Sequence, residues 1–243
     1  AVAADPNLAE AQGILGHVAG MAEYQWTEAL TRLDTAVGLN PDSARVHFFR
    51  GWLFYCRGHA AEAAAEWHRA VDLDPLSALY CVWLADLYLV TGQLDRAMDY
   101  ARNVLDADPN YGPAMSVLGE AYSLMGRDEE GIALLEKGWA SMQGANLWDG
   151  RLGWAYVRAG RQTDAERFLA DIEKRHQQRS AAATVVAMTA LALGDVECAL
   201  RWVRTAFEER DPNLLYTVRT SYLQRLQPDA RYQDILRQMN SGV

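Results

Sequence analysis

A glycine returns every 34 residues through most of the chain, at Gly58, Gly92, Gly126, Gly160 and Gly194. Glycine closes helices because it enters the left-handed backbone region without penalty. A fixed period of this length belongs to chains built from stacked copies of one small unit. A second series keeps the same step. Leu84-Ala85, Leu118-Gly119, Leu152-Gly153 and Val186-Ala187 are spaced identically, as are Pro41, Pro75 and Pro109.

Between these marks the apolar residues follow a helical period, as at Val82, Leu84, Leu87, Tyr88 and Val90. Asp95, Asp128, Thr163 and Asp195 stand where a second helix would open, and Asn7 with Glu10 fits a capping box at the first. No alternation of the strand type occurs. Each unit is therefore expected to be a helix pair whose apolar face stays bare until a neighbour covers it. Six pairs are expected, at about 9–41, 44–75, 78–109, 112–143, 146–177 and 180–211. The first carries one extra residue around Tyr24-Gln25-Trp26. Proline is missing where its step predicts it, at Met142–Asn146 and at His176–Arg179, so helices there should run longer or turn differently.

The stretch Ala44–Pro75 supplies the fullest set of marks: His47, Arg50-Gly51, Phe54, Gly58, Ala63, Trp67, Ala70 and Pro75. In this it resembles the tetratricopeptide repeat, with Arg50 departing from the usual Leu. The resemblance implies an all-α fold, a right-handed α-solenoid over residues 1–206 with a capping segment at 207–243. It also implies roles: Gly51 lets the second helix approach, and Trp67 fills the seam. The tail carries Asp211-Pro212-Asn213-Leu214 and then Asp229-Ala230-Arg231-Tyr232. It is similar to the ending of tetratricopeptide regions in bacterial multidomain signalling proteins, with Ala230 and Tyr232 replacing Pro and Phe.

Charge narrows the function. The net charge of −9 argues against generic nucleic-acid binding. Residues 1–150 carry 9 basic and 21 acidic side chains and residues 151–243 carry 14 and 11, a split that suggests weak head-to-tail self-association. Cys56, Cys81 and Cys198 lack metal or disulfide spacing and are expected to be small buried apolar residues. The longest apolar stretch, near Ala181–Gly194, is too short to span a bilayer, and a cytoplasmic setting is expected.

No phosphate-binding glycine loop, zinc-protease motif or nucleophile elbow occurs, so neither catalytic residues, metal nor cofactor are expected. His59, Glu62, Glu66 and His68 come nearest to a metal face, with a solvated helix surface as the ordinary reading. What remains is binding. The resemblance implies that first helices line the concave surface, and by register the candidate groove is Arg45, Phe48, Trp52, Tyr55, Val82, Asp86, Leu89, Glu120 and Trp154. The Phe48-Trp52-Tyr55 stripe reads either as packing against neighbouring repeats or as anchors for a partner. A partner with large apolar side chains and a basic group near Asp86 would suit it. The positions of a carboxylate clamp hold His17, Trp52, Val82 and Asp86, so that clamp is absent. The expected function is a non-enzymatic module binding a peptide or protein in its groove, as the C-terminal regulatory part of a bacterial signalling or transcription regulator. The alternative is a small-effector sensor controlling an attached output domain.

Overall fold

The computed structural model describes residues 8–142 and 147–241. The Asn7 cap and the 143–146 part of the first proline-free junction lie outside the described residues. Among those described, every regular element is a helix. The helices form two compact units, Ala1–Leu84 with Asp234–Val243, and Ala85–Gln233.

In the first unit, α1 (Ala9–Glu23) packs on α2 (Trp26–Leu39), and α3 (Ala44–Cys56) on α4 (Ala60–Leu73). Close approach of α3 and α4 depends on Gly51, since a Cβ there would overlap the Trp67 indole. Trp67 is fully buried and donates through Nε1 to the Phe48 carbonyl at 3.0 Å. Ala63 and Ala70 flank it with no exposed surface. The first part of α5 (Ala78–Val90) completes this core with Tyr80 and Trp83. The end of α14 (Ala230–Ser241) also belongs here: Trp26 Nε1 donates to the Met239 carbonyl at 2.8 Å.

The repeating glycines sit at φ between 73° and 88°. After each, the next backbone N–H donates to a carbonyl five residues back, as in His59 to Phe54 and Gln93 to Tyr88. In the first repeat Tyr24 takes the glycine's place at φ 56°, and Gln25 N–H reaches six residues back to Ala19. The extra residue is therefore absorbed in that turn. Such a backbone costs an aromatic residue about 1 kcal/mol, and Tyr24 is held there by nearly complete burial.

The second unit contains the rest of α5 with α6 (Leu94–Ala107), α7 (Gly112–Leu124), α8 (Asp128–Met142), α9 (Gly150–Arg158) and α10 (Gln162–Gln177). It continues through α11 (Ala183–Ala192), α12 (Val196–Glu208) and α13 (Pro212–Thr217) to a 3-10 turn at Ser221–Leu226. Its core includes Ile132, Leu135, Leu152, Phe168, Ile172 and Val185. Where proline is missing, α10 runs 16 residues against 14 in α6, and the turn after it places Arg179 at φ 58°. Cys56 and Cys198 are buried as expected, whereas Cys81 is half-buried.

Beyond Phe207 the chain does more than cover a last helix. Asp211 caps α13 by accepting from Asn213 N–H, and its other oxygen accepts from the Thr184 hydroxyl and N–H of α11. Leu214, Leu215, Leu223 and Leu226 are all buried against α11 and its neighbours.

Candidate functional site

Each helix brings one column of residues, 34 positions apart, to its inward face. In the second unit that column presents Asp86 from α5, Glu120 from α7 and Trp154 from α9. Two acids facing a shared interior need a counter-charge, and Arg151 on α9 provides it. Its side chain is 2 % exposed and ion-pairs with Asp86 and, at 2.5 Å, with Glu120. Burial lowers the Arg151 pKa, but the Asp86 and Glu120 charges more than offset this, holding it well above its ordinary value. Isolated buried charges are costly; here one cation is shared by two acids, and Arg151 Nη1 stays buried without a hydrogen-bond partner.

The remaining carboxylate oxygens are taken by the tail. Tyr216 donates its hydroxyl to Asp86 Oδ2, and Tyr222 donates to Glu120 Oε1. Burial, then the Glu120 charge, pushes the Tyr222 phenol well above its ordinary value. The Tyr222 ring lies 5.7 Å from that of Trp154, and Arg225 donates to the Leu191 carbonyl at 3.3 Å. Residues 212–226 thus lie along the inward face of their own unit.

The candidate groove residues are placed as follows. Phe48, Trp52 and Tyr55 are buried at 6 %, 6 % and 4 % exposure among Trp67, Tyr80 and Trp83. Val82 is fully buried in the same unit. Arg45 is exposed at its rim and pairs with Glu10 at 3.3 Å. His17 stacks on Phe49 at 4.4 Å, and burial pushes its pKa down to about 4. In the second unit Asp86 and Leu89 are buried, Glu120 is engaged by Tyr222 and Arg151, and Trp154 is half-buried. The basic group expected from a partner at Asp86 comes from the chain itself.

The His59 face does not converge. His59 Nδ1 meets Glu62 at 3.2 Å, but Glu66 turns to His47 and Arg50, each at 2.7 Å. Among the described residues no group of three His, Cys, Asp or Glu side chains is placed to hold a metal. No helix is long and apolar enough to cross a membrane, again among the described residues.

Arg151, Tyr216 and Tyr222 were not foreseen. Arg151 did leave a signal: its column otherwise reads Phe49, Trp83, Val117 and Val185, all apolar. A charge in an apolar column calls for buried partners. The tyrosines lie outside the repeats and left none.

Between α5, α7, α9 and the 221–226 turn a cavity of about 440 Å³ remains open. Leu89, Val90, Leu94, Leu124, Trp154 and Tyr222 give it apolar walls, with Glu120, Arg158 and Ser221 as polar groups. Trp154 Nε1 is buried without a hydrogen-bond acceptor.

Comparison with known proteins agrees with this architecture. Two tetratricopeptide-repeat models match, one at residues 22–67 and 54–112, the other at 92–151, together more than half of the 243 residues. Small glutamine-rich tetratricopeptide repeat-containing protein 2 of Mycosarcoma maydis is 36 % identical over 81 residues, 33 % of this chain. The match spans about a fifth (22 %) of that relative's length. Among solved structures, the Cut9–Hcn1 hetero-tetramer of the APC/C aligns with a TM-score of 0.62 at 14 % identity, over 98 % of this chain and 44 % of that one. Pseudomonas aeruginosa pilF aligns with a TM-score of 0.58 at 16 % identity, over 95 % and 97 %. Such identities show the fold alone. Tetratricopeptide-repeat proteins mediate protein–protein interaction. With the repeat period, the helix pairs, the glycine turns and the family models in agreement, this chain belongs to the tetratricopeptide-repeat family.

Proposed function

We propose that this chain is a non-enzymatic interaction module that receives a peptide or protein on the inward face of its first helices. The supporting observation is residues 212–226, a stretch of polypeptide already held on that face in the second unit by Tyr216, Tyr222 and the Trp154 ring. In the first unit the exposed inward positions are Arg45 and Leu79, above a floor of packed rings. Aromatic and Arg side chains are the usual anchors of such contacts. In this reading the chain serves as the regulatory part of a bacterial signalling or transcription-control protein in the cytoplasm, the setting that its tail resembles. It makes no direct nucleic-acid contact, in keeping with its net charge of −9, and self-associates weakly.

A displayed random-peptide library selected on the whole chain tests this. Selected peptides should lose about ten-fold or more in affinity for the Arg45→Glu or Leu79→Glu variant, roughly 1.4 kcal/mol. Peptides that bind both variants as well as the parent would remove the groove from consideration.

A second reading, a sensor of a small effector that controls an attached output domain, is favoured by the cavity beside Trp154. Its volume of about 440 Å³ and its apolar walls suit a small molecule.

A further inference from the structure

We propose that the outer face of α1 joins two copies of this chain about a two-fold axis. This rests on the weak self-association of the proposed function and names its surface. α1 packs with its small residues inward. Gly13, Gly16 and Gly20 are buried against α2 and α3, and no buried residue of this helix is larger than alanine. Its large apolar side chains point the other way. Leu8, Ile14, Leu15 and Val18 are 46 %, 45 %, 37 % and 43 % exposed. At about 100° per residue they fall within one arc of about 120°, which Ala11 and Ala22 complete without a charge.

The repeat frame shows what kind of element covers such a face. Allowing for the extra residue of the first repeat, Val18 holds the position of Leu53, Leu87, Ala121, Ala155 and Thr189. All five are buried, at no more than 7 % exposure. First helices lie side by side in this frame, as α1 on α3 and α9 on α11. On α1 the corresponding flank is open, and the continuing interface calls for another first helix there. Among the described residues no other helix exposes a comparable face, since the remaining exposed large apolar side chains occur at most in pairs. In a second copy the match for α1 is therefore α1 itself, a closed two-fold contact. Leu15 lies at the centre of the stripe. Antiparallel helices crossing there keep the two Glu10 residues about 15 Å apart along the axis. Each Glu10 is also paired with Arg45 of its own chain at 3.3 Å. The stripe is one helix wide, which makes the dimer a weak one.

Sedimentation equilibrium of the whole chain, from about 10 μM to about 1 mM, tests this. The mass should rise with concentration and level off at the dimer, and added salt should leave the dimer as strong or stronger. Val18→Glu, with Ile14→Ser as a milder second change, should weaken the dimer about ten-fold or more. Both positions are exposed, so melting at low concentration should stay that of the parent. Growth beyond the dimer, or a dimer that salt dissolves, would mark a head-to-tail ionic contact and overturn the two-fold assignment while self-association stands. Dimerisation unaltered by both changes would do the same. A monomer at every concentration would overturn the proposal and the self-association together, leaving the α1 face to a helix of some other protein.

Discussion

The two units solve the same packing problem with opposite chemistry. In the first, the inward column is aromatic, and Trp52 meets Trp83 with ring centroids 4.9 Å apart. In the second, the equivalent column carries Asp86 and Glu120, and the interior is organised around Arg151 and two tyrosine hydroxyls. Packed rings tolerate small displacements, because most of their attraction is dispersion spread over many atom pairs. A buried charge cluster tolerates few, since each unpaired member costs more than its bond contributed. One repeat frame can thus carry either kind of interior, and the column of residues chooses which.

The largest expected effect is in the charged interior. Arg151→Met strands Asp86 and Glu120 together and should cost about 4 kcal/mol. Hydrogen exchange at the α7 and α9 amides reads this loss. Combining it with Asp86→Leu and Glu120→Gln should recover most of the stability, because the burden is unpaired charge. An Arg151→Met protein within about 1 kcal/mol of the parent would show that the cluster is not a structural determinant.

Next comes the aromatic interior, where Trp52→Ala should cost about 3 kcal/mol through lost contact and a cavity. Denaturant titration followed at α3 measures it. A near-neutral result would return Trp52 to the list of exposed anchors.

The units should also separate by pH. The folded-state pKa of His17 is depressed from 6.5 to about 4 by burial. Its contribution is therefore complete above 6.5 and lost as pH falls through 4, roughly 3 kcal/mol in all. His17→Gln should flatten that acid slope. Tyr222 behaves oppositely, with its pKa raised by burial and the Glu120 charge above the ordinary 10. Its contribution is complete below 10 and is lost as pH rises beyond it. Melting curves across both ranges check the pair, and matching slopes in the two units would break the contrast.

The smallest effect belongs to the rim. Arg45 and Glu10 are each 53 % exposed, so Arg45→Ala should shift stability by less than about 1 kcal/mol. A larger shift would mean that Arg45 supports the ring cluster beneath it.

Legibility in the sequence followed the range of the interactions. The turn glycines, the Gly51–Trp67 contact and the helix pairs are set by neighbours within one repeat, and the 34-residue step announces them. The ends of the inward column were also placed by register. What fills that column was not. Arg151 meets Asp86 across 65 positions and Tyr216 meets Asp86 across 130, distances at which a local period says nothing. An alternative was legible at Phe48, Trp52 and Tyr55, packing or groove, and only the burial of the rings among Trp67 and Trp83 distinguishes the two.

The bond from Trp26 to the Met239 carbonyl spans 213 positions and bears on how the molecule comes into being. An array held together by adjacent repeats can begin folding as its first copies leave the ribosome. Here the opening repeat lacks one of its neighbours until 213 further residues have been made. Its Trp26 then needs a helix that has only just been made. Closing a loop of that size is slow compared with joining adjacent helices. During synthesis the repeat that holds Trp26 therefore waits longest for its partner, although it is made before the other repeats.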